Sequence, residues 1–281
     1  AHRKGIELVC DIAPNVPTVV RGDANRLRQV FLNLIGDAIR ATERGEVVVT
    51  AELQARDDEQ CILQFAILGT SCRETLAGDL QQLDLVLQET ANAGQFNSAD
   101  LGLTISARLV ALMHGGIWQE PAGQRGRQVN LTMQLGAVAR QPEPSVPPGA
   151  LLLRGARILI VDDNAAHRRV LEQTLGRLGM RIVSAASASQ AIERLMECAS
   201  TGDACALALV DFDMPVATGR SLLECVRARR MPLAVVMMVN STAQREGATL
   251  CRDFDVEALL VKPFAPEELR ATVARVLEQR E

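Results

Sequence analysis

RILIVDDNAAHRRVLEQTLGRLG, residues 157–179, sets the fold of the second half of this chain. A short apolar run, RILIV, stops at Asp162, Asp163 and Asn164 and gives way to a stretch with helical spacing. The alternation recurs four more times: RIVSA with SQAIERLMEC, ALALV with GRSLLECVRA, LAVVMMV with AQREGATLC, and EALLV with PEELRATVARVLEQ. Apolar runs of this kind are strands buried on both faces. Five of them alternating with five amphipathic helices predict an α/β doubly wound, five-stranded parallel sheet. Ligands of such sheets sit at the carboxyl ends of the strands, so the polar residues just after each run are the place to look for chemistry.

Asp162 and Asp163 follow the first run, Asp211 and Asp213 follow the third in LALVDFDMP, and Lys262 follows the fifth in LLVKPF. The strands that carry them are expected to be neighbours, which would bring the carboxylates and the lysine to one edge. Clustered carboxylates repel one another and invite a hard divalent cation with oxygen ligands, Mg²⁺ foremost. A lysine facing them can neutralise a phosphoryl group arriving on one of the carboxylates. Asp162 or Asn164 alone would be explained as a cap of the following helix. Capping does not account for a lysine at the end of the fifth strand.

On VDDN, DFDMP and VKPF, in that order and at ordinary spacing, the segment from residue 155 to the end resembles a response-regulator receiver domain of flavodoxin-like fold. The resemblance implies that Asp211 is the phosphoacceptor. It also implies that Asp162 and Asp163 hold Mg²⁺ with it, that Asp213 supplies a backbone carbonyl, and that Lys262 contacts the phosphoryl group. The Lys262–Pro263 bond is expected to be cis. After strand four, where a receiver places Thr or Ser, stands Asn240, followed by Ser241 and Thr242; the switch aromatic is replaced by Leu259. Phosphorylation chemistry is therefore expected to be intact, with the usual readout altered.

Upstream, QPEPSVPPGA (141–150) carries four prolines in ten residues, which preclude a helix or central strand. The expected organisation is a domain at 1–140, a linker at 141–154 and the receiver at 155–281. The first domain reads as an early strand, IELVCDI, a helix from about Ala24 to Thr42, a hairpin of EVVVTAEL and CILQFAIL, a helix around LGLTISARLVALM, and closing strands GIWQE and RQVNLTMQL. This order predicts an α+β two-layer sandwich with helices on one sheet face. On its first helix Leu27, Val30, Phe31, Leu34, Ile35 and Ala38 form the buried face, and Arg26, Gln29, Asn33, Asp37 and Arg40 share a polar stripe.

RGDANRLRQVFLNLIGDAIRATERGEV and SADLGLTISARLVALMHGGIW make this domain similar to the ATP-binding domain of sensor histidine kinases, the GHKL type of ATPase. The resemblance implies that the stripe faces Mg²⁺ and phosphates, with Asn33, Asp37, Arg40, Gly69 and Gly102 as the remnant ATP site. The family pattern N-L-x-x-N-A-x-K-F-T stands here as NLIGDAIRAT, with Asp37 in place of the Mg²⁺-holding Asn and Ala41 in place of an aromatic. GTSCRE (69–74) replaces D-T-G-x-G-I, so Gly69 lacks the carboxylate that would accept a bond from the adenine amino group. Losing such a buried bond costs about 1–3 kcal/mol, about ten- to a hundredfold in affinity. The last glycine box, SADLGL, keeps only Gly102 and adds Asp100, and the lid between Leu85 and Ser98 is short. ATP binding is expected to be weak or lost, leaving a scaffold or regulator.

Thirty basic and thirty-four acidic residues give a net charge of −4, and only 2% of the chain is aromatic, so no basic, aromatic-interleaved surface for nucleic acid is expected. No run approaches a membrane span, and seven scattered cysteines without a C-x-x-C pair suggest a reduced, cytoplasmic setting. His2, His114 and His167 lack ligand spacing for a metal and the context of a phosphorylatable histidine. The combined expectation is the C-terminal part of a hybrid sensor histidine kinase in a two-component phosphorelay. Its partners would be a phosphohistidine donor domain and a histidine phosphotransfer protein, with dimerisation in the full-length protein. The rival is an active ATP-dependent hybrid kinase whose histidine-bearing hairpin lies upstream.

Overall fold

The computed structural model describes residues 4–70, 98–122, 127–138, 153–214, 218–240, 243–244, 249, 252–254 and 256–280. The chain divides into two compact units, residues 1–142 and 143–281.

The first unit is a six-stranded sheet of β1 (Ile6–Ile12), β2 (Val20–Arg21), β3 (Gly45–Arg56), β4 (Gln60–Gly69), β5 (Ile117–Pro121) and β6 (Arg127–Ala137). The order is β1-β3-β4-β6-β2, with β5 also paired to β6. The pair β1–β3 is parallel and the others are antiparallel. Helices α1 (Ala24–Ala41) and α2 (Ser98–Leu112) join this sheet through one core, where Val30, Leu34 and Ala38 of α1 and Val110 of α2 meet Ile6, Val47, Ile67, Leu131 and Met133. Asp23 starts α1 by accepting from the amides of Asn25 (3.0 Å) and Arg26 (3.1 Å), a side-chain N-cap. The two-residue strand β2 was not visible as a pattern, because two residues carry no periodicity.

Helix α2 ends with His114 in the left-handed region (φ 51°) and a Gly115 amide bonded to the Val110 carbonyl at 3.0 Å. This is a helix stop in which a histidine occupies the position that glycine usually takes. Gly115 itself is irreplaceable on space alone: a Cβ there would lie 1.8 Å from the Thr132 carbonyl oxygen.

The second unit holds β7 (Arg157–Val161), β8 (Arg181–Ala185), β9 (Leu207–Asp211), β10 (Ala234–Asn240) and β11 (Ala258–Lys262), all parallel, in the order β11-β10-β9-β7-β8. Around it stand α3 (Ala165–Arg177), α4 (Ala188–Ser200), α5 (Thr218–Ala228) and α6 (Pro266–Glu278). Leu171 and Leu175 of α3 share one core with Leu269, Val273 and Val276 of α6. Ala191 and Leu195 of α4 share the other with Leu222 and Leu223 of α5. Two cores on two sheet faces are the doubly wound arrangement. Leu153, ahead of the expected receiver start, is 2% exposed and belongs to the first of these cores.

One expectation is corrected. The strands ending in Asp211 and Lys262 are not neighbours, because β10 lies between β9 and β11. Apolar periodicity reports burial and carries no information on strand order. The chain reverses its winding between β7 and β9, and that crevice is where a ligand fits such a sheet. Most of the expected helix AQREGATLC, most of the proline-rich linker and the segment 71–97 lie outside the described residues.

Because αL geometry strains an L-residue, His114→Gly should raise the stability of the first unit by about 1 kcal/mol. Gly115→Ala should lower it by about 2 kcal/mol or more, since backbone must move to admit the methyl group. Urea unfolding followed by the fluorescence of Trp118, the only tryptophan, reads this unit alone.

Candidate functional site

Of the five charged groups predicted to converge, three form a buried cluster in the second unit. Asp162 (0% exposed), Asp211 (2%) and Lys262 (6%) are buried together at the carboxyl ends of β7, β9 and β11. Lys262 Nζ lies 2.9 Å from Asp211 Oδ2 and 3.4 Å from Asp162 Oδ2, so its stem spans the intervening strand. The Lys262–Pro263 bond is cis. Carboxylate oxygens of Asp162, Asp163 and Asp211 lie within 4.8 Å of one another, with Asp163 exposed. Three carboxylates so close form an all-oxygen donor set that suits a hard divalent cation such as Mg²⁺.

Asp162 and Asp211 are held in place by nearby backbone amides. Asp162 Oδ1 accepts from the Asn164 amide at 2.8 Å, and Arg168 Nη1 donates to the Asp162 carbonyl at 2.6 Å. Asn164 caps α3 by accepting from the His167 amide at 2.9 Å. Capping by Asn164 and charge clustering by Asp162 thus coexist in one loop. Asp213, expected for its carbonyl, donates its amide to Asp211 Oδ1 (3.2 Å), while its carboxylate accepts from the Asn240 amide (3.1 Å). Asn240 is the register partner of Lys262 across β10–β11, so the residue expected at the switch position adjoins the lysine. Ser241 lies outside the described residues.

Sequence reasoning missed His167. Its Nδ1 is 2.6 Å from Asp162 Oδ2, both side chains are nearly inaccessible, and its ring packs on Phe264 with centroids 5.9 Å apart. His167 has no acidic residue at metal-ligand spacing in the sequence, yet the fold sets Asp162 against its ring. The available signal was the turn itself: a helix capped at Asn164 directs a residue of its first turn back over the preceding strand end.

Burial pushes the Asp211 carboxyl up to about 6, against the pull of Lys262 and with the charge of Asp162 adding to the rise. Asp162 behaves oppositely. Burial would raise it, but the bond from His167 and the charge of Lys262 prevail and hold it below the usual carboxylate range. Asp162 is thus held ionised, while Asp211 beside it takes up a proton more readily than an ordinary carboxylate.

In the first unit, Asn33 donates to the Gly102 carbonyl (3.3 Å) and to Ser106 Oγ (3.3 Å), which brings the α1 stripe and the last glycine box together. Asp37 is paired with Arg40 one turn on. Gly69 ends β4 against the close of α1, where a Cβ would meet Thr42 Oγ1 at 2.4 Å. Thr42 is fully buried and bonds the Ala38 carbonyl at 2.8 Å. All five predicted residues are therefore placed on α1 or against it. Residues 71–74 of GTSCRE and the lid lie outside the described residues.

Residues 158–274 match the response regulator receiver domain, and residues 22–137 match the histidine kinase-, DNA gyrase B- and HSP90-like ATPase family. The chain joins a kinase-type ATPase domain to a receiver domain. Among its relatives are the virulence sensor protein BvgS of Bordetella bronchiseptica, 30% identical over 96% of this chain and 22% of that protein. Sensor protein TorS of Escherichia coli is 28% identical over 97% of this chain and 28% of its own length. Sensory/regulatory protein RpfC of Xanthomonas campestris is 27% identical over 98% of this chain and 41% of its own length. The chain therefore spans less than half of each of these relatives. Crystalline full-length ShkA in complex with AMPPNP shares the fold, with a TM-score of 0.61 and 22% identity over 100% of this chain and 53% of that one. Among the described residues of this chain no helix is long and apolar enough to cross a membrane.

The raised Asp211 has a consequence for stability. Below about pH 4 folded and unfolded chains both hold the proton; between about 4 and 6 only the unfolded chain releases it, so stability falls as pH rises. In chelator-treated buffer Asp211→Asn should therefore stabilise the receiver at pH 7.5 by about 1–3 kcal/mol, with the difference vanishing near pH 4. Calorimetric midpoints across that range check it.

Proposed function

We propose that the receiver accepts a phosphoryl group on Asp211 in a two-component phosphorelay, and that this chain is part of a hybrid sensor histidine kinase. The observation that carries the reading is the burial of Lys262 between Asp211 and Asp162, one cation serving two carboxylates at a strand edge. An Asp211 carboxylate oxygen attacks the phosphorus of a phosphohistidine. The P–O bond forms as the P–N bond breaks, and the electron pair returns to the donor's ring nitrogen. Lys262, 2.9 Å from the acceptor, is placed to pair with the phosphoryl oxygens as charge accumulates on them. Asp162, Asp163 and Asp211, with the Asp213 carbonyl, would hold Mg²⁺, which supplies further neutralisation of the phosphoryl charge. In this reading Asn240, beside Lys262 in register, and Ser241, next to it in the sequence, report the phosphorylated state, and a histidine phosphotransfer protein is the onward partner.

The ATPase domain acts in this reading as a scaffold or regulator. Support comes from a stripe occupied from within: Asn33 is engaged by α2, Asp37 by Arg40, and the space beside Gly69 by Thr42.

Incubated with acetyl phosphate and Mg²⁺, the chain should gain one phosphate by intact mass, and Asp211→Asn should gain none. Equal gain in the two refutes the acceptor assignment. Titration with a fluorescent ATP analogue and Mg²⁺ should give no saturation in the micromolar range; micromolar binding would favour an active kinase.

A further inference from the structure

Lys262 is shared unequally, and His167 supplies a reason. The buried carboxylate of Asp162 has its Oδ1 satisfied by the Asn164 amide, while at Oδ2 it meets His167 Nδ1 at 2.6 Å and Lys262 Nζ at 3.4 Å. The same ammonium lies 2.9 Å from Asp211. A fully buried carboxylate with an unmet oxygen draws the nearest cation to itself, because charge-assisted bonds strengthen out of water. With its proton on Nδ1, the imidazole meets that demand and leaves the ammonium nearer to Asp211. The ring is well fixed for the task. Its amide is bonded to Asn164 Oδ1, its side chain is 11% exposed, and it packs on Phe264, two residues beyond the lysine.

We infer that His167 is a positioning residue for phosphoryl transfer: by bonding Asp162 it biases Lys262 toward Asp211, where the phosphoryl group is to arrive. This role rests on Asp211 being the acceptor. In this role His167 acts on the acceptor through the lysine.

The test uses the full chain, acetyl phosphate and saturating MgCl₂, with initial rates of phosphate gain read by intact mass. His167→Leu, which removes the donor, should slow the reaction by about three- to tenfold. His167→Asn, which keeps an N–H donor, should recover to within about twofold of the unaltered chain. His167→Met fills the space with a flexible apolar chain and serves as the donor-free variant if leucine does not fold. In a Lys262→Met background, donor removal should have no further effect, since the two changes act on one path. Rates for both donor-free variants within twofold of the unaltered chain overturn the inference. So does an asparagine variant as slow as leucine, or an equal slowing in the Lys262→Met background. A chain whose Asp211→Asn variant gains phosphate as fast as the parent fails earlier, at the acceptor assignment, and the role of His167 falls with it.

Discussion

Asp162, Asp211 and Lys262 lie at the end of a sheet whose central strands β7, β9 and β10 are almost wholly buried, and charged groups persist there only by satisfying one another. The second unit is organised around that requirement. Its two apolar cores press the helices onto both faces of the sheet and leave the carboxyl ends of β7, β9 and β11 as the place where polar side chains gather. Three nearby carboxylates against one lysine leave the cluster short of positive charge. Burial raises Asp211, while His167 and Lys262 keep Asp162 ionised. A divalent cation and a phosphoryl group are the kinds of ligand that such an imbalance accommodates, the first relieving the repulsion and the second pairing with the lysine.

The first unit is built by the same rules with its polar groups spent differently. Helix α1 has one apolar and one polar face, and the apolar face packs on the sheet with α2. On the polar face, Asn33 ties the helix to α2 and Asp37 closes on Arg40. Thr42 fills the space beside Gly69, so a side chain at that position requires the buried threonine to move. The family membership of this unit is clear from residues 22–137, while its polar stripe is engaged within the protein.

Sequence and structure agree where the signal is local. The described strands and helices other than β2, the cap at Asn164, and the grouping of Asp162, Asp163, Asp211 and Lys262 were legible from apolar runs and the residues that end them. Two residues of β2 were too short to leave a pattern, and strand order was misread because periodicity gives each element's burial without naming its neighbour. His167 was passed over because a spacing of five residues across a loop and a helix start is no recognised ligand pattern, although the capped turn brings its ring onto Asp162.

By itself the sequence determined two units, their element types and the identity of the charged residues at the strand ends, since these follow from composition and period along one chain segment at a time. Only the tertiary structure decided that β10 separates the strand of Asp211 from the strand of Lys262, that Lys262 lies closer to Asp211 than to Asp162, and that His167 and Thr42 occupy the spaces beside Asp162 and Gly69. Those are distances between groups far apart in the chain or joined by a turn. They are set by how packed elements share a core, which no local pattern encodes.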